Sequence, residues 1–242
     1  MKSVPIELHP ELNGARACIF DAGGTLVHPD WPRLCAIAAE VANSAFLPKE
    51  LKRAFGTMLK KVGMEMQREG SISAEEMKRP HWTLKNMYCE LGLDQAICAD
   101  VMAHVAASHL RQHLWCVADP SALLVLSQLR QHGFLLGVIS NTEDGRLTES
   151  LTAAGISETF DVLIDSQIVG HRKPESAIFQ LALDELKLDA HEAAYIGDSY
   201  SIDALAARAA GLRGILLDPI DLYPESVCPR IKSLTELIAS VD

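Results

Sequence analysis

Residues 17–25 read Ala-Cys-Ile-Phe-Asp-Ala-Gly-Gly-Thr: four apolar residues, an acid, and a turn containing two glycines. An uninterrupted apolar run of this length, closed by polar turn residues, is the pattern of a strand buried on both faces. The same beat recurs at Phe134 to Ile139, Phe160 to Ile164, Ala193 to Ile196 and Gly214 to Leu217. Helical spacing fills the intervals at Ser121 to Gln131, Arg146 to Ala154, Glu175 to Leu186 and Ile202 to Ala210, and several of these segments end near Gly133, Gly155 or Gly211. Strand and helix in alternation predict an α/β fold: a doubly wound parallel sheet with helices on both faces.

One interval interrupts the beat. From about His28 to about Cys116 the chain is mostly helical, with Leu34 to Ala45, Lys49 to Gln67, Ala74 to Leu91 and Gln95 to His113 as candidate helices. A crossover between parallel strands needs only about a dozen residues or somewhat more, so this much helix predicts an insertion. The expected division is a core of residues 1–27 and 117–242 with an inserted helical domain over residues 28–116. Because the insertion begins just beyond the first strand's turn, it is expected to hang over that strand's end.

Composition narrows the function classes. A chain of 242 residues with 48% hydrophobic and 22% charged residues buries a sizeable core. Its formal net charge of −10 argues against nucleic acid or an anionic membrane surface as a partner, while a small anionic ligand needs only local positive charge. No apolar run reaches the roughly 20 residues of a bilayer span, and Met1 to Pro10 lacks the apolar core of a secretory leader, so a cytoplasmic protein is expected. The six cysteines form no Cys-x-x-Cys pair and suggest neither zinc nor a disulfide framework. Monomer and homodimer are both compatible with the helical faces.

In an open parallel sheet, ligands bind beyond the carboxyl ends of the strands. Asp21, Ser140 with Asn141, and Asp198 stand at three such ends. Gly23 and Gly24 permit a sharp turn whose backbone N–H groups face an anion. Lys173 before Pro174 offers a cation for phosphate, or else marks a solvated helix start. Asp198 and Asp203 are hard oxygen donors of the kind that suit Mg²⁺, or else ordinary helix caps.

Taken in order, Asp21 to Thr25, Ser140-Asn141, Lys173-Pro174 and Gly197 to Asp203 resemble the four motifs of the haloacid dehalogenase (HAD) superfamily. The insertion between the first two resembles the helical cap of its first subclass, and the sheet its Rossmann-like core. The resemblance implies a hydrolase of a small phosphorylated metabolite in which Asp21 is the nucleophile and forms an aspartyl-phosphate. It implies Mg²⁺ held by Asp21, the Gly23 carbonyl and Asp198, with Asp203 one step further out. Gly23, Gly24, Thr25, Ser140, Asn141 and Lys173 would surround the phosphate, Lys173 also stabilising charge in the transition state.

The chain departs from the pattern at Gly23. Phosphatases of the family usually carry a second Asp there as general acid and base, help typically worth about 10² to 10⁴ in rate. Three readings follow, in this order: a phosphatase for leaving groups that need no proton, such as acyl or aryl phosphates, or one served by His28 or His171; a phosphonatase-like enzyme using Lys60 or Lys61; and a noncatalytic phosphate-binding module. Trp31, Trp82, Met64, Met66 and Met87 are expected to line an apolar pocket or to pack in a helical core.

Overall fold

The computed structural model describes residues 6–67 and 82–240. Its central sheet has six strands, all parallel, in spatial order β6-β5-β2-β7-β8-β9. These are β2 (Ala17–Phe20), β5 (Leu135–Ser140), β6 (Val162–Asp165), β7 (Ala193–Gly197), β8 (Arg213–Leu217) and β9 (Arg230–Ile231). The sheet is doubly wound, as the alternation predicts. Near the termini, β1 (Ile6–Leu8) pairs antiparallel with β10 (Ile238–Ser240), a pairing the apolar pattern does not announce.

The period of two along each strand sorts its side chains between two cores. Cys18 and Phe20 of β2 join Ala194 and Ile196 of β7 on one face, under α5 (Ala122–Gln131) and α6 (Leu147–Ala153). Ala17 and Ile19 join Ala193 and Tyr195 on the other, under α8 (Ser176–Leu186). Each fully buried Phe or Ile on these faces stabilises the fold by roughly 1.5–3 kcal/mol relative to exposure. A short helix, α7 (Ser166–Val169), follows β6 directly.

Between β3 (Val27–Pro29) and β4 (Trp115–Ala118) stand α1 (Trp31–Ala42), α2 (Pro48–Gln67), α3 (Trp82–Glu90) and α4 (Gln95–Arg111). Helix α1 starts at Trp31, before the expected Leu34, because the Asp30 carboxylate accepts the Arg33 N–H at 3.0 Å and Pro32 is preset for a first turn. It stops at Asn43 in the left-handed region, φ 47°. Residues 74–81 of the third expected helix lie outside the described residues. The helices share their own core, including Leu34, Leu51, Phe55, Met87, Tyr88 and Val101.

The strands β3 and β4 pair antiparallel, Val27 opposite Ala118 and His28 opposite Val117. The chain therefore enters and leaves the helical region side by side through one ribbon. Among the described residues, no helix is long and apolar enough to cross a membrane.

Candidate active site

Asp21 directly follows β2, and its N–H donates to the Ile196 carbonyl of β7 at 2.8 Å, so two neighbouring strands fix its backbone. The residue is 6% exposed. Thr25, fully buried across the glycine turn, donates its hydroxyl to Asp21 Oδ2 at 3.2 Å. That turn depends on Gly24, at φ +97°, where a Cβ would stand 2.0 Å from Asp198 Oδ2.

Lys173 is no solvated helix start. It is 3% exposed, and its ammonium reaches Asp21 Oδ1 at 2.6 Å, Asp203 Oδ1 at 2.7 Å and the Tyr195 hydroxyl at 2.9 Å. An ammonium has three protons, and each finds an acceptor. Burial alone would lower its pKa, but Asp203 and Asp21 outweigh that and hold it above the ordinary lysine value. Asn141 holds the lysine's backbone at two points: its Nδ2 donates to the Lys173 carbonyl and its Oδ1 accepts the Lys173 N–H, both at 2.9 Å. Both ends of the amide are thus spent on the lysine segment, so Asn141 holds the strand end in place rather than contacting the phosphate the resemblance implies. Ser140, 6% exposed, is the last residue of β5.

Asp203 belongs to a π turn, Tyr200–Ala204, where the sequence predicts α-helix from Ile202. The wide turn lets Asp203 Oδ2 fold back to accept the Ser199 N–H at 3.0 Å, while Oδ1 meets Lys173 and the Tyr195 hydroxyl, the latter at 3.0 Å. The helix continues as α9 (Leu205–Ala209). By sequence Tyr195 reads as one more apolar residue of a wholly buried strand. The available signal was its hydroxyl, which needs a partner when buried.

Ligand oxygens of Asp21, Asp198 and Asp203 lie within 4.8 Å of one another. At about 4 Å and an effective dielectric constant of about 20, two like charges repel by about 4 kcal/mol. Three carboxylates sharing one ammonium therefore leave surplus negative charge. Burial, then repulsion from Asp21 and Asp203, push the Asp198 pKa well above the carboxylate range. Burial raises Asp21 to about 6 against the pull of Lys173. Hard oxygens around an unbalanced negative charge fit Mg²⁺.

A cavity of ≈ 140 Å³ reaches this cluster at Asp198, while Asp21, Asp203 and Lys173 are not part of its lining; helix residues and the segment from Leu217 to Tyr223 form much of its wall. Gly24 and Asp198 line it on the sheet side, with Trp31, Phe55 and Trp115 among its other walls. Of the residues weighed as replacements for the absent acid, His28 lines the cavity, its Nε2 3.2 Å from Asp119 Oδ2. His171 does not belong to the lining; it is exposed and pairs with Glu175 at 3.1 Å. Lys61 is exposed and pairs with Glu90 at 2.6 Å, while Lys60 donates to the Leu222 carbonyl and lies 5.5 Å from the Tyr223 ring centre. Met87 is core within the helices, and the side chains of Met64, Met66 and Trp82 lie outside the described residues.

A second group, His109, His113 and Asp144, sits where α4 ends against the loop after β5. Leu114 N–H donates to His109 Nδ1 at 3.0 Å, which places that ring's proton on Nε2, 2.8 Å from Asp144 Oδ2. Arg146 also approaches, at 3.3 Å from the same nitrogen. A protonated Nε2 beside a guanidinium makes this a polar clamp between helix and core rather than a metal site.

The model of the haloacid dehalogenase-like hydrolase family matches residues 15–211, a span that takes in Asp21, Ser140, Lys173, Asp198 and Asp203. The chain belongs to that family. It is similar to the haloacid dehalogenase-like hydrolase domain-containing protein 3 of Mus musculus, 34% identical over 134 residues, 53% of each chain. It is also similar to a phosphoserine phosphatase of Thermus thermophilus, 32% identical over 99 residues, 41% of this chain and 40% of that one. The chain thus matches about half the length, or less, of these curated relatives. Among solved structures, the L-2-haloacid dehalogenase of Xanthobacter autotrophicus superimposes with a TM-score of 0.61 at 15% identity, covering 92% of this chain and 96% of that one. At that identity the likeness speaks for the fold alone.

Proposed function

We propose that this hydrolase is a Mg²⁺-dependent phosphatase acting on a small phosphorylated compound through an aspartyl-phosphate on Asp21. The observation that carries the reading is the buried triangle of Asp21, Lys173 and Asp203 beside Asp198. Relatives named as phosphatases support it.

Phosphoryl transfer asks the protein mainly for positioning and charge. Asp21, fixed by the Ile196 carbonyl and Thr25, presents a carboxylate oxygen to phosphorus. The new Asp21 O–P bond forms as the bond from phosphorus to the leaving oxygen breaks. Water then attacks phosphorus, releasing inorganic phosphate and restoring the carboxylate. Lys173 places positive charge beside the arriving phosphoryl oxygens, with the Ser140 hydroxyl and the Gly23 N–H to either side; the N–H groups of Gly24 and Thr25, expected from the sequence to face the anion, instead donate to the Val27 and Ala22 carbonyls at 2.8 and 3.3 Å. Asp21, Asp198 and the Gly23 carbonyl would hold Mg²⁺, which reduces repulsion between carboxylate and phosphate. Asp203 and Tyr195 orient Lys173, and Asn141 fixes its segment.

The helices of residues 28–116 act as a cap on the core formed by residues 1–27 and 117–242, closing the cavity against water and choosing the substrate. Phosphonatase-like chemistry ranks second: Lys60 touches the cavity wall at Leu222 and Tyr223, but its ammonium is held by the Leu222 carbonyl.

Hydrolysis of an activated aryl phosphate, with and without Mg²⁺, tests the reading against Asp21→Asn as the blank. Turnover that needs both Mg²⁺ and Asp21 is expected. Absence of turnover with Mg²⁺ present would leave a phosphate-binding module.

A further inference from the structure

The position of the absent acid is not open space. A Cβ built on Gly23 would lie 3.3 Å from Cζ3 and 3.4 Å from Cε3 of Trp115, closer than carbon atoms normally approach. The edge of an indole therefore packs directly against position 23, and a side chain there would have to push it aside by a few tenths of an ångström. Carbon–hydrogen edges donate no proton.

That indole belongs to a continuous aromatic wall. Phe55 meets Trp115 edge to face with ring centres 5.7 Å apart, and Trp31 meets Phe55 likewise at 5.8 Å. All three rings line the cavity that Gly24 and Asp198 also line. Faces and edges so arranged offer a flat partner the offset and T-shaped contacts that aromatic groups favour.

The two observations meet at Trp115 and point to the same chemistry. We infer that the substrate is a phosphate monoester of a phenolic, aromatic alcohol, whose ring occupies the Trp31–Phe55–Trp115 wall and whose oxygen departs as an unprotonated phenolate. This rests on the phosphatase reading above and specifies its substrate class. As the Asp21 O–P bond forms and the P–O(aryl) bond breaks, the electron pair stays on the aryl oxygen and delocalises into the ring. The phenolate takes its proton from water after leaving. An alkoxide has no such delocalisation and would need the acid that Gly23 does not supply.

The test compares phenyl phosphate with ethyl phosphate under saturating Mg²⁺. A kcat/KM ratio of at least about 10² in favour of the aryl ester, beyond that of a family phosphatase carrying the second Asp, is expected. In the double variant Gly23→Asp with Trp115→Ala, which supplies an acid and the room for it, ethyl phosphate turnover should rise at least about tenfold and the ratio should shrink. A second readout is independent of turnover and of that variant's folding. Phenylphosphonate, which is not hydrolysed, should bind the wild-type protein about tenfold tighter than ethylphosphonate, measured by tryptophan fluorescence. Equal binding, or aryl and alkyl esters hydrolysed alike, overturns the inference while leaving a working phosphatase. In the latter case His28, paired with Asp119 on the same cavity, becomes the acid. Failure to hydrolyse either ester overturns the phosphatase reading and this inference with it.

Discussion

The Lys173 ammonium stands 2.6 Å from Oδ1 of Asp21 although the two residues come from opposite sides of the helical insertion and from different connections of the sheet. The contact is buried, with side-chain exposures of 2% and 9%. Removing one partner of such a pair leaves an uncompensated charge. Lys173→Met is therefore expected to cost about 3–5 kcal/mol in urea unfolding and to abolish turnover. An unchanged unfolding midpoint would show that the ammonium does not balance the carboxylates.

Gly24→Ala tests the closeness of the turn to Asp198. The left-handed backbone alone costs about 1–3 kcal/mol for a residue with a Cβ. The overlap at 2.0 Å also forces Asp198 aside. The wild-type melting temperature is expected to rise with added Mg²⁺ by mass action. That of Gly24→Ala should start lower and respond little, a difference that a thermal melt across a Mg²⁺ series reads directly.

Tyr195→Phe keeps the ring packed against Phe179, whose centre lies 5.1 Å away, and deletes only the hydroxyl between Lys173 and Asp203. The loss is expected to be about 1–2 kcal/mol in stability. Because Lys173 then holds a less defined position, kcat should fall more than KM rises. Steady-state kinetics separate the two effects.

Asp119 ties the β3–β4 ribbon to the start of α5. Burial alone would raise its pKa, but hydrogen bonds from His28 and Ser121 win and lower it to about 2. A folded-state value below the unfolded one means stabilisation that is present above the unfolded pKa of 3.8 and lost as the pH falls toward 2. After partial screening by solvent it amounts to about 1–2 kcal/mol. Asp119→Asn should be less stable than wild type by that amount at pH 7, and the gap should narrow below pH 4. Unfolding curves across this range check the sign.

What the amino-acid pattern reveals here follows from range. Asp21, Ser140 and Asp198 are legible as strand-end residues because the runs before them are apolar on both faces, a local property. Lys173 is legible only through its motif; locally, Lys-Pro reads as a surface step, and its burial depends on strands far along the chain. Trp115 is illegible as a neighbour of Gly23, because the ribbon that joins them pairs segments separated by the whole helical insertion. Val27-His28-Pro29 is also too short, and too marked by proline, to announce a strand. Tyr195 is hidden by its own strand, whose uniform burial masks the hydroxyl.

The central claim is that Asp21 becomes covalently phosphorylated, and borohydride trapping tests it most directly. Borohydride reduces an aspartyl-phosphate to homoserine while sparing a free carboxylate. Protein quenched during turnover of phenyl phosphate with Mg²⁺ should contain homoserine at position 21, found by peptide mass spectrometry, and none when either Mg²⁺ or substrate is withheld. Sustained hydrolysis with Asp21 recovered unmodified and another residue reduced would contradict the account.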